Sequence, residues 1–587
     1  MIRRVLVANR GEIAVRVVRA CHALGLGAVA VYSDADRGLP HVALADSAVR
    51  LGPAPAAASY LDAGALVAAA RATGCDALHP GYGFLSEQPA LAEACAAAGV
   101  TFVGPSPEAL RLLGDKGAAR RLAVEAGFRL VPGGDDASAL GFPLLVKAVA
   151  GGGGRGMRVV RAAGDLDGAR EAAAREAEAA FGDGRVYLER YLEGARHVEV
   201  QALGDGAGGA ATLGLRDCSL QRRHQKVLEE APAPGVPPAV REELEAAACR
   251  LLVATGYAGA ATVELLLTPA GEAFFLEVNA RLQVEHPVTE LVTGEDVVAW
   301  QLRIAGGERL PAGGLDATAT GHAIEARLVA EDADAGFLPS AGRLLRLELP
   351  TGEGLRVDAG YAAGDEVTPF YDGLLAKVCA HAPTREEALD RLAGALAETV
   401  VLGVRTNLPL LRALAADADV RAGRIDTGFL ERTWAPAPPP AERVSVAVDA
   451  ARAAERGADP FAGRFRLGAS VRAAAPAARA ADGALHVLVD GRDVRVAPDA
   501  APDVDALAHA PAAGAGAAVQ VTAVMPGRVA AVRVEPGARV AAGEALVVLE
   551  AMKMEHPAVA PYDATVREVH VEAGQQVAGG QLLVVLE

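Results

Sequence analysis

The chain has 587 residues, length for about four domains, and 51% of them are hydrophobic although only 4% are aromatic. Alanine supplies the difference, and the longest uncharged stretch, 506–527, is interrupted by His509, Pro511, Gln520 and Pro526, so composition excludes a bilayer-spanning helix. A net charge of −17, from 57 Lys and Arg against 74 Asp and Glu, excludes a general nucleic-acid binder, which needs a basic face.

From the N-terminus, Val5–Ala8 has strand composition, and Asn9 with Glu12 three residues on has the spacing of a helix start. Ala28–Tyr32 is the next strand, so the pattern is β-α-β, which predicts a parallel sheet covered by helices. Arg10 and Glu12 interrupt any apolar signal segment, and a cytoplasmic location is expected. A helix near 61–73 and a strand at Thr101–Val103 complete a first domain over 1–113. The six cysteines (Cys21, Cys75, Cys95, Cys218, Cys249, Cys379) form no CxxC pair and read as reduced thiols.

A strand at Pro143–Ala148 runs into Gly151, Gly152, Gly153, Gly154 and Gly156, and a further strand follows at Met157–Val160. This predicts a glycine-tipped hairpin within a small domain over 114–202. No Gly-Lys-Ser/Thr follows, so it is not a Walker A loop, and it opens no helix as a dinucleotide fingerprint would. It is either a backbone cover for phosphates, with Lys147 beside it, or a plain flexible hairpin. A mixed α/β domain is expected over 203–440, including a helix after the capping-box pair Thr384 and Glu387. Ala435–Pro440 marks its end. A small β-rich interaction module is expected over 441–498, with a hairpin about Asp490-Gly491. A flexible tether over 499–520 and a final β domain over 521–587 complete the chain.

That last domain contains a repeat: 532–550 and 569–587 match at twelve of nineteen positions, at a shift of 37. Two β halves closing on one core are expected, with Lys553 at a hairpin tip between them. Two of the five methionines, Met552 and Met554, flank that lysine. A lysine on such a tip suits covalent attachment of a swinging arm.

Three further stretches carry chemistry. In Val263-Glu264 and Phe275-Leu-Glu277-Val-Asn279, Glu277 and Asn279 share a strand face. With Glu264 alongside they make either an all-oxygen Mg²⁺ site or solvent-facing strand charges. The other two are Arg281–Pro287 and, upstream of it, Arg216–Lys226, which is densely cationic within an acidic protein. That cationic stretch serves an anionic substrate or forms a solvated basic face.

Residues 521–587 resemble the biotinyl carrier domain of biotin-dependent carboxylases, with Met-Lys-Met where lipoyl domains usually have Asp-Lys-Ala. The glycine hairpin, the basic segment, the Glu…Glu-x-Asn set and Arg281-x-Gln-x-Glu285 occur in the order of the ATP-grasp biotin carboxylases. Ala8-Asn-Arg-Gly-Glu-Ile13 and the stretch from His79 to Glu87 extend that resemblance over about 1–440. Val524, before Met525-Pro526, departs from the family's frequent Pro.

The resemblance implies an α/β ATP-grasp fold (Rossmann-like N-terminal domain, small lid, mixed C-terminal domain) plus an all-β flattened-barrel carrier. It implies synthesis of carboxybiotin from ATP and bicarbonate, as in acetyl- or propionyl-CoA carboxylase α chains, a ligase activity. Lys116, Lys147, His197, Gln221, His224 and Gly151–Gly154 would contact ATP, and Glu189 and Leu192 the adenine side. Glu264, Glu277 and Asn279 would hold Mg²⁺, or Mn²⁺. Lys226, Arg281, Gln283, Val284 and Glu285 would form the bicarbonate pocket, with Glu285 as base. Tyr82 and Arg327 would contact biotin, carried covalently on Lys553. The implied partners are a carboxyltransferase β subunit and a biotin protein ligase, within an oligomer, with no nucleic acid and no membrane. The competing expectations are the ATP-consuming part of a pyruvate carboxylase, an ATP-grasp ligase with an unrelated acceptor, and a carrier scaffold with a decayed ATP site.

Overall fold

The structure is a computed structural model that describes residues 2–149, 157–222, 225–312, 314–315, 317–437, 439–457, 476–496, 519–552 and 554–587. The expected parallel sheet is present. Five strands run in the order Ser47–Gly52, Gly27–Ser33, Arg4–Val7, Ala77–His79, Thr101–Phe102, every pair parallel. Val5, Leu6 and Val7 are fully buried because helices cover both faces of the central strand. The helix Gly11–Ala23 does follow the first strand, but Asn9 does not cap it. The Asn9 amide instead donates to the carbonyls of Pro80 and Tyr82, at 2.7 and 2.8 Å, and so fixes the loop after Ala77–His79.

The glycine-tipped hairpin is correct in its arms: Leu144–Ala148 pairs antiparallel with Arg158–Val160, Leu144 opposite Val160. Its tip, with Gly151, Gly152, Gly153 and Gly154, lies outside the described residues. Val186–Arg190 and Gly133–Gly134 complete a four-stranded sheet, covered by the helix Leu166–Phe181.

A nine-stranded sheet dominates the molecule. Its order is Leu355–Ala359, Leu374–Ala382, His322–Val329, Gln225–Ala231, Ala210–Arg222, Arg196–Asp205, Ala258–Leu267, Ala273–Asn279, Arg129–Leu130. The boundary expected at 202/203 falls inside the strand Arg196–Asp205, whose long register with Ala258–Leu267 binds it to this sheet. Arg129–Leu130 likewise pairs with Phe274 and Phe275, so the small domain is shorter than 114–202 at both ends. The capping box at Thr384 and Glu387 is present ahead of the helix Arg385–Glu398.

The 441–498 module is only half as expected. Leu485–Val489 and Arg492–Val496 form the hairpin, with Asp490 and Gly491 at φ 50° and 81°. The module's N-terminal part, however, is the helix Ala441–Gly457. Its face of Val444, Ala447, Val448 and Ala451 packs on Leu485, Val487 and Val489, at the spacing of one helical stripe. The expected tether at 499–518 lies outside the described residues.

The C-terminal β unit starts two residues earlier than expected, because Val519–Thr522 pairs with Leu582–Leu586. It has two four-stranded sheets, and each takes strands from both repeat copies. Gly527–Val532 of the first copy pairs with Gln576–Val577 of the second, and Ala564–Val569 of the second with Arg539–Val540 of the first. The repeat therefore closes as two interlocked halves on one core. Among the described residues no helix is long and apolar enough to cross a membrane.

Candidate active site

Cross-strand register builds the site. Arg216 lies opposite Glu199, Glu199 opposite Glu264, and Glu264 opposite Glu277. Three carboxylates in adjacent strands are destabilising unless cations come between them. Lys226, on Gln225–Ala231, supplies one: its Nζ donates to Glu199 at 2.6 Å, Glu264 at 2.9 Å and Glu285 at 2.5 Å. Burial disfavours the charged ammonium, but the carboxylates outweigh burial and raise its pKa well above the usual range. Arg216, fully buried, neutralises the row's other end through Glu199, Gln201, Thr262 and Thr289. The described cations of 216–226 are thus not solvated: Arg216 braces the sheet from inside, Arg222 is buried, and Lys226 faces the site. Gln221 is buried opposite Lys226 in register.

The second wall is the turn after Ala273–Asn279. Arg281 donates to Glu87 at 3.1 Å, to Gln283 Oε1 at 2.8 Å and to Asn279 Oδ1 at 3.0 Å. Gln283 Nε2 donates to Glu264 at 3.2 Å. Glu285, buried ahead of the helix His286–Thr293, bridges two cations: one oxygen takes Lys226 and the other takes Arg327 Nη2 at 3.0 Å. Burial would raise the Glu285 carboxyl, yet Lys226, Arg327 and Arg216 prevail and hold it well below the usual carboxylate range. Arg327 also donates through Nε to Glu229 at 2.5 Å. Burial pushes Glu229 up to about 7, with Arg327 opposing.

A third cation organises the wall from behind. Lys377 is opposite Arg327 in register and 0% exposed. Its Nζ donates to the Val284 carbonyl at 2.9 Å and pairs with Glu12 at 3.1 Å. Glu12 in turn accepts the Tyr82 hydroxyl. One buried ammonium thus joins the Arg281–Glu285 turn to the Tyr82 segment.

On the other side, Lys147 donates to Glu189 at 2.9 Å, and Arg120 donates to the same carboxylate at 2.7 Å. Glu189's side chain therefore holds two cations and is not free to face an adenine. Leu192 is half-buried just beyond that strand. Lys116 begins the helix Lys116–Ala126, and burial and Lys147 lower its pKa. His197 lies 3.3 Å from Glu264. His224 and Lys553 are outside the described residues, while Ala551 and Met554 pair as the last rung of their hairpin.

The residues at Glu264 fit a divalent cation. Glu277 is raised by burial and then by Glu264 and Glu87, a like-charge conflict that a cation between the carboxylates relieves. Asn279 adds a neutral oxygen on the same strand face.

Sequence reasoning missed Glu199, Glu229 and Lys377 and gave Glu12 and Glu87 no place in the site. The signal available was one charge within an otherwise apolar strand, as in Val198-Glu199-Val200 and Ala376-Lys377-Val378. Such a charge is buried and must be paired.

Comparison with known proteins agrees with this geometry. Residues 1–110 match the biotin carboxylase N-terminal domain, 115–313 the carbamoyl-phosphate synthase L chain ATP binding domain and 325–432 the biotin carboxylase C-terminal domain. Residues 519–586 match the family described as biotin-requiring enzyme. Biotin carboxylase of Haemophilus influenzae is 47% identical over 444 residues, 74% of this chain and 99% of that protein. Methylcrotonoyl-CoA carboxylase subunit alpha of Oryza sativa is also 47% identical, over 73% of this chain and 60% of its own length. Biotin carboxylase of Campylobacter jejuni, solved as an ATP complex, superposes with a TM-score of 0.71 at 39% identity, covering 74% of this chain and 99% of that one. The biotin carboxylase domain of Hydrogenobacter thermophilus 2-oxoglutarate carboxylase, solved with MgADP and bicarbonate, gives a TM-score of 0.70 at 43% identity, covering 73% and 97%. With its nine-stranded sheet, its Lys226–Glu285–Arg327 bridge and its duplicated β unit, this chain belongs to the biotin carboxylase family and joins to that enzyme a domain of the biotin-requiring type.

Proposed function

We propose that the chain carboxylates biotin carried on its own C-terminal domain, using ATP and bicarbonate, and delivers the carboxyl group to a separate acyl-CoA carboxyltransferase subunit. The observation that carries this reading is Glu285 held between Lys226 and Arg327. Its two cations keep Glu285 ionised and so able to accept a proton, and once they turn to a bound anion its basicity rises back toward that of an ordinary carboxylate.

In this reading Lys226, Arg281, Gln283 and the Val284 backbone hold bicarbonate and Glu285 takes its proton. The bicarbonate oxygen then attacks the γ-phosphorus. A C–O–P bond forms, the bond to ADP breaks, and carboxyphosphate results. Lys116, Lys147, His197, Gln221, His224 and Gly151–Gly154 bind the phosphates, and Leu192 with the backbone of Glu189 lines the adenine end. Glu264, Glu277 and Asn279 would hold Mg²⁺, or Mn²⁺, which supplies positive charge to the phosphates. Carboxyphosphate would then break its C–O bond to give phosphate and CO₂, the phosphate would take the proton from the ureido-ring nitrogen of biotin on Lys553, and that nitrogen would bond to the CO₂ carbon. Tyr82 orients that ring, and Arg327, which stays protonated at any working pH, stabilises its developing oxyanion.

Lys553 would be modified by a biotin protein ligase, and the protein would work in the cytoplasm within an oligomer. An α-subunit relative supports a separate carboxyltransferase β subunit. The 441–498 module is assigned part of that docking. It packs on the carboxylase through Arg492 with Asp334 at 2.6 Å and Asp493 with the Gly403 amide at 3.0 Å, which leaves its outer side for a partner. The test is ATP cleavage by the purified chain with free biotin. Cleavage that depends on bicarbonate, with no acyl-CoA carboxylated until a β subunit is added, supports the reading. ATP cleavage indifferent to bicarbonate overturns it.

A further inference from the structure

The C-terminal β unit does not stand apart from the carboxylase. Met552, the residue before Lys553, is 6% exposed and belongs to the apolar core of the carboxylase C-terminal region, with Ala330, Phe337 and Leu375. Its amide donates to the Pro369 carbonyl at 3.1 Å. A Cβ built on Gly373 would lie 3.3 Å from its sulfur, so the absence of a side chain at 373 makes room for it. Leu338 packs from the carboxylase side onto the core of the β unit. Met552 has φ 49°, a left-handed conformation at the end of Ala545–Ala551 that turns its side chain out of its own unit's core and into the other's.

The seat adjoins the site already described. Val329 lies opposite Leu374 in register, and the Gly373 carbonyl accepts the Ala330 amide at 2.8 Å just beyond that rung. Arg327 and Lys377 stand on the same two strands. Arg327 is three residues from Ala330, about 10 Å along a strand. Tyr371, in the same loop as Pro369 and Gly373, meets Phe84 edge-on at 6.1 Å, two residues from Tyr82.

We propose that Met552 is a reversible anchor that seats the carrier on the carboxylase, so that the adjacent Lys553 is presented to the Arg327 and Tyr82 side of the site. This rests on the reading of Lys553 as the biotin-bearing residue. A thioether suits the task, since it fills an irregular pocket without demanding one geometry. A thioether seat, a backbone hydrogen bond and the Leu338 contact are all non-covalent and can be released. Loss of a buried methionine side chain weakens such seating by about 10- to 100-fold.

The test uses the full chain with Met552→Ala in the carrier and, separately, Leu338→Glu in the carboxylase. Label from bicarbonate is followed onto the chain's own carrier, with avidin reactivity and carboxylation of free biotin measured in parallel. We expect both variants to charge their own carrier at least 10-fold more slowly, with biotinylation and free-biotin turnover unchanged. Charging at the wild-type rate in Met552→Ala overturns the proposal, whatever the folding of Leu338→Glu. If the chain proves not to carry biotin, the functional reading fails and the seat is judged by hydrogen exchange alone. Protection of the Met552 amide that is lost in Leu338→Glu supports the seat, and equal exchange in both proteins refutes it.

Discussion

Replacing Glu285 by Gln separates chemistry from binding and from folding. Three consequences can be sized from the site. Lys226 keeps Glu199 at 2.6 Å and Glu264 at 2.9 Å, and Arg327 keeps Glu229 at 2.5 Å. Neither cation is orphaned, so the roughly 3–5 kcal/mol of a buried pair broken outright does not apply. The loss is that of weakened charge-assisted hydrogen bonds, about 1–3 kcal/mol, or a few degrees in Tm. Nucleotide affinity changes little, because Glu285 is remote in role from Lys116 and Lys147. Bicarbonate-dependent ATP cleavage falls by about 10²–10⁴-fold, the usual contribution of a positioned base, equivalent to about 2.7–5.4 kcal/mol of barrier. The assay is phosphate release with and without bicarbonate at saturating ATP, alongside a thermal melt. Turnover within a factor of three of wild type, in a protein that melts normally, refutes the assignment of Glu285 as base.

Lys553→Arg abolishes avidin reactivity on blots and leaves carboxylation of free biotin intact; residual avidin binding would move the attachment site elsewhere. Glu277→Gln removes one of two opposed carboxylates and raises the Mg²⁺ concentration needed for half-maximal ATP cleavage by about tenfold or more, as loss of a carboxylate ligand predicts; an unchanged Mg²⁺ titration counts against the metal set. Lys377→Met leaves Glu12 and the Val284 carbonyl without their cation and costs about 3–5 kcal/mol, read as a lowered unfolding temperature; a melt within a degree of wild type contradicts the bracing role. Burial pushes Glu12 up to about 7, against Lys377's opposing pull. The folded state therefore keeps a proton that the unfolded chain releases near 4.5. Glu12's stabilising contribution is full below about pH 4.5 and is lost as pH rises through 7, so the Tm of wild type minus that of Glu12→Gln should decline between pH 5 and 8; a constant difference removes Glu12 from the account.

Local signals in the sequence led to local structure. The β-α-β pattern, the capping box at Thr384 and Glu387 and the Asp490-Gly491 turn each depend on residues close in the chain, and each formed; the C-terminal repeat was legible because one pattern occurs twice, although its halves pair across the whole unit. The site was legible as a set of residues through its resemblance, but not as a network. Glu199, Glu264 and Glu277 meet because three strands lie side by side in a fixed register, and that order is a tertiary fact. Lys377 is further removed, lying over 90 residues from the Val284 carbonyl it holds. Asn9 shows the converse. Its spacing to Glu12 suited a cap, yet its Nδ2 donates to two carbonyls more than 70 residues away, and in that orientation its Oδ1 accepts from the adjacent Arg10 amide rather than from an amide of the helix. The helix Ala441–Gly457 was hidden by alanine, which contributes to a helical face without marking its period as Leu or Ile would.

The pairing of Val519–Thr522 with Leu582–Leu586 has a mechanical consequence. Chain entry and chain end meet in one sheet, Val519 opposite Leu586, and the entry strand lies at that sheet's edge. The hairpin bearing Met552 and Met554 belongs to the opposite sheet, where Met554–Val559 is the edge strand. Tension arriving through the preceding chain therefore loads the rungs from Val519 to Thr522 and bypasses the tip. Pulling from that side would peel the entry strand away one rung at a time before it disturbed the turn. The unit can be loaded at Val519 without deforming the end that carries Met552.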